Sequence, residues 1–148
     1  MASHRNALPL ATILGLLALL PFVAGVYHAY AGTTLDARMS LRWLLPYLAT
    51  VVSFIGGVQW GRMLSQTRAS ALDMALAATP ALLAWAALLS AAPWRGFLLL
   101  AALVVAWLLD ERGMARGWQK RGFLQLRRVL TLAVGGCVIA IGWRVIRG

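Results

Sequence analysis

Acidic side chains are nearly absent from this chain. Asp36, Asp73, Asp110 and Glu111 are its 4 Asp+Glu among 148 residues, set against 14 Lys+Arg. Charged residues total 12%, about half the ~25% of an ordinary soluble domain. Cysteine is reduced to Cys137, and histidine to His4 and His28. One cysteine excludes a disulfide within the chain, and with two distant histidines it makes no zinc or haem ligand set. Cys137 reads as a small packing residue. The serines have no His-plus-acid arrangement, because neither histidine is near a carboxylate in sequence. Asp110 and Glu111 are adjacent and therefore do not face each other on a helix. No Gly-rich phosphate loop follows a strand. The residues thus supply no metal site, no cofactor site and no support for an enzyme.

What is abundant is apolar length. Hydrophobic residues make up 61% of the chain, above the roughly 45–50% of soluble domains. Several runs approach or exceed the ~18 apolar residues of a membrane-crossing helix. The fold class is all-α: a polytopic membrane helix bundle in a single domain spanning residues 1–148. Five transmembrane helices are expected, at residues 8–30, 41–63, 70–92, 95–110 and 129–146. Residues 111–128 form a basic, interfacial connection. Ala29-Tyr30-Ala31 resembles a signal-peptidase site, but the run before it exceeds a signal-peptide core, so it reads as a first membrane helix. Pro21 should kink that helix. Tyr27, His28 and Tyr30 close it at headgroup level.

The net charge of +10 is distributed between the apolar runs. It therefore points to topology and anionic lipid headgroups rather than to nucleic acid, since no basic stripe with interleaved aromatics lies on a soluble face. With five spans, one side carries Arg5, Arg62, Arg68, Arg112, Arg116, Lys120, Arg121, Arg127 and Arg128. The other carries Arg38, Arg42, Arg95, Arg144 and Arg147. The positive-inside rule places the richer side, and the N-terminus, in the cytoplasm, and the C-terminus outside. A bacterial cytoplasmic (inner) membrane is the expected home. In the basic connection, Arg116, Lys120, Arg121 and Arg128 are expected on lipid headgroups, with Trp118 and Phe123 turned inward.

Two features of the second span carry the functional reading. Ala49, Ser53, Gly57 and Gly61 recur every four residues and end in a GxxxG pair, a stripe that lets helices approach closely. Gly136 and Ala140 offer a similar face on the last span. Beside the stripe lie Gln59, Trp60 and Arg62. Trp60 and Arg62 suit ordinary interfacial anchoring, or else the rim of a polar pocket. Asp73 closes a capping box with Ser70, or else pairs with Arg62 or Arg68 across the short turn. Asp110 and Arg127 are candidate neighbours of the same pocket.

Several stretches together resemble the transmembrane protein 69 family, a bacterial and mitochondrial membrane family of unknown function. They are Leu14-Gly15 with Pro21-Phe22, then Ser53-Phe54-Ile55-Gly56-Gly57-Val58-Gln59-Trp60-Gly61. Pro80-Ala81-Leu82-Leu83-Ala84-Trp85, Asp110, Leu126-Arg127 and Leu130-Thr131 follow. The resemblance implies the five-span fold and no reaction. Its members commonly carry His where this chain has Gln59. Gln cannot replace His as a metal ligand or proton carrier, but it keeps a hydrogen-bonding role.

Two functions are therefore expected. One is an interaction, accessory or assembly protein of a membrane complex, with other membrane subunits or a homodimer partner as its contacts. The other is a transporter or binder of a small or lipidic molecule, using a polar pocket at the inner end of the second span.

Overall fold

The structure, a computed structural model, describes residues 8–66, 70–118 and 121–148. Arg5, Arg68 and Lys120, and the readings placed on them, lie outside the described residues. Among those described there is no strand. Six helical segments follow one another: α1 (Leu8–Leu17), α2 (Leu20–Ala31), α3 (Thr34–Leu64), α4 (Ala71–Leu89), α5 (Trp94–Ala115) and α6 (Arg121–Arg147).

The expected kink at Pro21 is a full break. Pro21 has no amide to give the carbonyl of Leu17, and its ring crowds that carbonyl. The chain turns at Ala18-Leu19, where the Leu19 amide falls back to the Leu16 carbonyl at 3.1 Å. α1 and α2 together make a helical unit long and apolar enough to cross a membrane, as are α3, α4 and α6. α5 is the more charged one. Every 18-residue stretch of it includes at least three of Arg95, Asp110, Glu111 and Arg112. The chain is a helical, apolar membrane protein.

Helix ends depart from the expected span limits for identifiable reasons. α3 begins at Thr34, so residues 34–40 are helix rather than loop. Thr33 and Asp36 form a capping box: the Thr33 amide donates to Asp36 Oδ2 at 2.6 Å, and the Asp36 amide donates to Thr33 Oγ1 at 3.4 Å. Much of the segment 111–128 is likewise helical, as the last turn of α5 and the first two turns of α6. Between them the chain reverses at Gly117, whose φ is 74°. The Trp118 amide reaches the Gly113 carbonyl and the Gly117 amide reaches the Met114 carbonyl, both at 2.9 Å. This is a Schellman closure, and it requires a residue that enters the left-handed region without strain.

α3 is the central helix and touches α2, α4, α5 and α6. α4 packs on α3 and α5 through Ala77, Pro80, Ala84 and Ala87, all buried. Their small size brings backbones close, since a Cβ added to Gly56 would sit 3.1 Å from the Ala77 carbonyl oxygen. α6 packs on α5 and α3 and closes against α1 and α2. The core is a string of apolar side chains down this centre, including Phe22, Leu44, Leu48, Leu99 and Ile141.

Gly56 and Gly57 should therefore respond differently to bulk. Gly56→Leu is expected to destabilise by about 1–3 kcal/mol, because α3 and α4 must separate. Gly57→Leu, where an added Cβ meets nothing within 4 Å, should leave the chain near its original stability. Thermal unfolding of the two purified variants in one detergent measures the contrast.

Candidate functional site

The end of the bundle where α3 finishes and α6 begins concentrates charge. Three of the four acids lie there, and each is met by arginine from another helix. The centre is Asp110 on α5, which is 1% exposed. Arg127 of α6 donates from Nε to Asp110 Oδ2 at 3.0 Å. Arg62 of α3 brings Nη1 to 3.7 Å from Asp110 Oδ1, longer than a direct hydrogen bond. Gln59 of α3, 2% exposed, donates from Nε2 to the Ala106 carbonyl at 2.8 Å and to Asp110 Oδ1 at 3.2 Å. Two acceptors facing that nitrogen fix the orientation of the amide. Gln59 Oε1 is buried with no hydrogen-bond partner among the described residues.

Asp73 belongs to a second cluster. It closes the capping box of α4, with Ser70 Oγ donating to Asp73 Oδ2 at 2.9 Å and the Asp73 amide donating to Ser70 Oγ at 3.2 Å. Its ionic partners come from α5: Arg112 Nη2 at 3.2 Å and Arg116 Nη1 at 2.6 Å. Arg116 also lies over the ring of Trp118, 5.0 Å from its centroid. Both readings of Asp73 thus hold in part: it caps and it pairs. The pairing is with Arg112 and Arg116, while Arg62 turns to Asp110. Glu111 forms the third cluster. Arg128 Nε and Nη2 grip its two oxygens at 2.5 and 2.7 Å, and the Trp107 indole donates to Oε1 at 2.8 Å.

Of the residues singled out from sequence, Gln59, Arg62, Asp110 and Arg127 converge. Asp73 stands apart, and Trp60 faces outward, half-exposed. Arg116 and Arg128, expected on headgroups, hold Asp73 and Glu111 while keeping part of their surface outward. Arg121 is exposed at the start of α6. In the small-residue stripe Ala49 is buried, but Ser53, Gly57 and Gly61 are exposed. Gly136 is exposed too, and Ala140 is half-buried with its carbonyl accepting the Tyr30 hydroxyl at 3.0 Å. The close approach of the α3 backbone to that of α4 is at Gly56, one residue from the expected register.

At the opposite end the turn between α2 and α3 corrects one reading. His28 comes within 3.9 Å of Asp36 despite their sequence separation. The Ser40 hydroxyl donates to the Asp36 carbonyl at 3.0 Å, so at 3.0 Å from His28 Nδ1 it accepts, and Nδ1 carries the hydrogen. Ser40 is fully buried and Asp36 is engaged by Thr33, so this trio is a structural clasp.

Beside the Asp110 cluster runs a cavity of about 500 Å³. α3 lines one wall from Tyr47 to Arg62, sixteen residues or about 22 Å of helix. α1 supplies Ala11, Leu14 and Gly15, and α6 supplies Phe123, Leu126, Leu130 and Val134. Apart from Tyr47, Thr50 and Thr131, polar lining is confined to Arg62, Asp110 and Arg127 at one end. Leu14, Thr50, Phe54 and Val58 line the cavity and are also exposed, so it opens sideways between α1 and α3. The Tyr47 hydroxyl donates to the Ala18 carbonyl at 3.1 Å, holding the break between α1 and α2 against the other wall. Phe123, expected to turn inward from the basic connection, lines the cavity, whereas Tyr47 is not among the residues singled out from sequence. A phenol well inside an apolar run was the available signal. Among the described residues no group of three His, Cys, Asp or Glu is placed to hold a metal.

The clusters differ in burial, and their removal should differ in cost. Asp110→Asn leaves Arg62 and Arg127 near an uncharged amide and should destabilise by about 3–5 kcal/mol. Glu111→Gln breaks a partly exposed pair and should move the unfolding midpoint far less. Comparing both with the parent in one detergent checks this ranking.

Comparison with known proteins adds a family and no activity. Neither the curated proteins nor the solved structures give a match. The model of a family described as "Protein of unknown function (DUF3429)" matches residues 8–142, from the start of α1 to the last turns of α6 and across every residue of the Asp110 cluster. The chain therefore belongs to this family of proteins of unknown function.

Proposed function

We propose that this protein binds an amphiphile within the bilayer, holding an apolar tail in the slot between α1, α3 and α6 and its head near Arg62 and Arg127. The observation that carries this reading is the slot itself. Its volume lies within the roughly 300–1,000 Å³ of small-molecule sites. It is long and narrow, apolar along its length and charged at one end, and it opens toward where lipid chains would lie. A compact polar solute would leave most of that wall unused. We read the role as binding rather than catalysis, without a cofactor, because a buried Asp–Arg–Gln cluster offers neither nucleophile nor free base.

A second reading is favoured by a separate observation. Ser53, Gly57 and Gly61 are not consumed inside the bundle, and neither is Gly136. An exposed small-residue stripe on α3 supports an accessory or assembly role against another membrane subunit or a second copy. Recovery solely as a monomer across several mild detergents would remove this second reading.

The setting we propose is a five-span protein of the bacterial cytoplasmic membrane, similar to the transmembrane protein 69 family. α5 counts as the fourth span, the N-terminus is cytoplasmic and the C-terminus is outside. The support is that Arg62, Arg112, Arg116, Arg121, Arg127 and Arg128 gather at one end of the bundle. In a Cys137→Ser background, a cysteine introduced by Gly148→Cys should react with an impermeant maleimide added to intact cells. Labelling only after lysis would reverse the topology.

Amphiphile binding is tested by filling the slot. Val58→Trp adds bulk at its wall, at a position already partly exposed. The purified parent should bind one single-chain amphiphile per molecule by native mass spectrometry. Val58→Trp should lower that occupancy by about tenfold while unfolding near the parent temperature, since a clash confined to the slot costs the ligand rather than the fold.

A further inference from the structure

We infer that the head of the bound amphiphile is a carboxylate, and that Arg62 is the residue that recognises it. This deepens the binding reading and rests on it. The inference starts from the unequal way in which Asp110 uses its two arginines. Arg127 is committed, with Nε on Asp110 Oδ2 at 3.0 Å. Arg62 stands off, with Nη1 3.7 Å from Asp110 Oδ1. It lies over the ring of Phe123 instead, 5.3 Å from the centroid. Phe123 and Arg62 both line the slot, so the stacked guanidinium sits at the slot's charged end.

The charge at this end selects the sign of the head. Among the described residues Asp110 is the one acid lining the slot, against Arg62 and Arg127, which leaves one positive charge in excess among them. In a medium of low dielectric such an excess attracts one anion and repels an ammonium head. The geometry of the donor selects among anions. A planar guanidinium presents parallel N–H groups that match a carboxylate edge to edge. Arg62 and Arg127 are only 19% and 14% exposed, so a head that reaches them is largely withdrawn from solvent, where a compact, planar carboxylate suits the edge of the guanidinium. A single slot accepts a single chain. The ligand class is therefore a long-chain monocarboxylate.

The test compares probes that share one chain and differ in the head: hexadecanoate, hexadecan-1-ol, hexadecylammonium and hexadecyl phosphate. Affinities are measured by native mass spectrometry on the monodisperse fraction of the full chain in a neutral detergent. Hexadecanoate is expected to bind at least about tenfold tighter than the alcohol, the size of a charge-assisted hydrogen bond. The acid-to-alcohol ratio should collapse toward one in Arg62→Gln and be partly kept in Arg62→Lys, which retains charge without the planar fork. A ratio is read within one folded preparation, so a less stable variant does not obscure it. Equal binding of acid and alcohol, or a ratio unchanged in Arg62→Gln, would overturn the carboxylate inference and leave amphiphile binding standing. Preference for the phosphate or the ammonium would likewise overturn the choice of head. Failure of every probe to bind would remove the underlying reading as well.

Discussion

The fold depends on bringing Asp110 to the same depth as Arg62 and Arg127. A lone carboxylate inside an apolar bundle is costly, and so are two lone guanidiniums, but the cost falls when each neutralises the other. Asp110 binds α5 to α3 through Gln59 and Arg62, and to α6 through Arg127. The neighbouring clusters repeat the arrangement, with Asp73 joining α4 to α5 and Glu111 joining α5 to α6. Hydrophobic burial does not distinguish one helix pairing from another in lipid, where the solvent is as apolar as the side chains. Charge pairing does, and here it sets which helices are neighbours and at what height.

Small residues supply the complementary constraint. The Ala-rich face of α4 and Gly56 of α3 let two backbones meet, which fixes the central layer of the bundle. Larger side chains on α1 and α6 hold α1 away from α3, and the slot is the space that remains. The same helix, α3, thus carries a tightly packed face toward α4, an open face toward the slot and an exposed stripe through Ser53, Gly57 and Gly61.

Much of this was legible in the residues. The apolar runs indicate the class, Pro21 marks a kink, and of the candidate polar set Gln59, Trp60, Arg62, Asp73, Asp110 and Arg127 the fold gathers Gln59, Arg62, Asp110 and Arg127. Other parts were not, for definable reasons. Gly56 and Gly57 are adjacent, so four-residue spacing cannot tell which of them faces inward; a rotation of about 100° per residue separates the two answers. Thr33-Thr-Leu-Asp36 has the same capping signature as Ser70-Ala-Leu-Asp73, yet only the second preceded an uninterrupted apolar run, and the first was read as loop. The arginines that Asp73 does meet, Arg112 and Arg116, escape a reading by neighbourhood because they are distant in sequence and belong to a segment expected on the membrane surface. His28 and Asp36 were judged remote for a similar reason, although a tight turn folds them together.

The charge load of α5 has a consequence for how the protein is made. As α5 emerges from the ribosome, its charges are too many for it to partition into lipid as an independent helix. Arg62 and Asp73, on α3 and α4, have already been synthesised. Arg127 and Arg128, which complete the neutralisation of Asp110 and Glu111, arrive only with α6. The tight reversal at Gly117 shortens that interval by sending the chain back at once. A chain that stopped before α6 would hold Asp110 without Arg127 and Glu111 without Arg128.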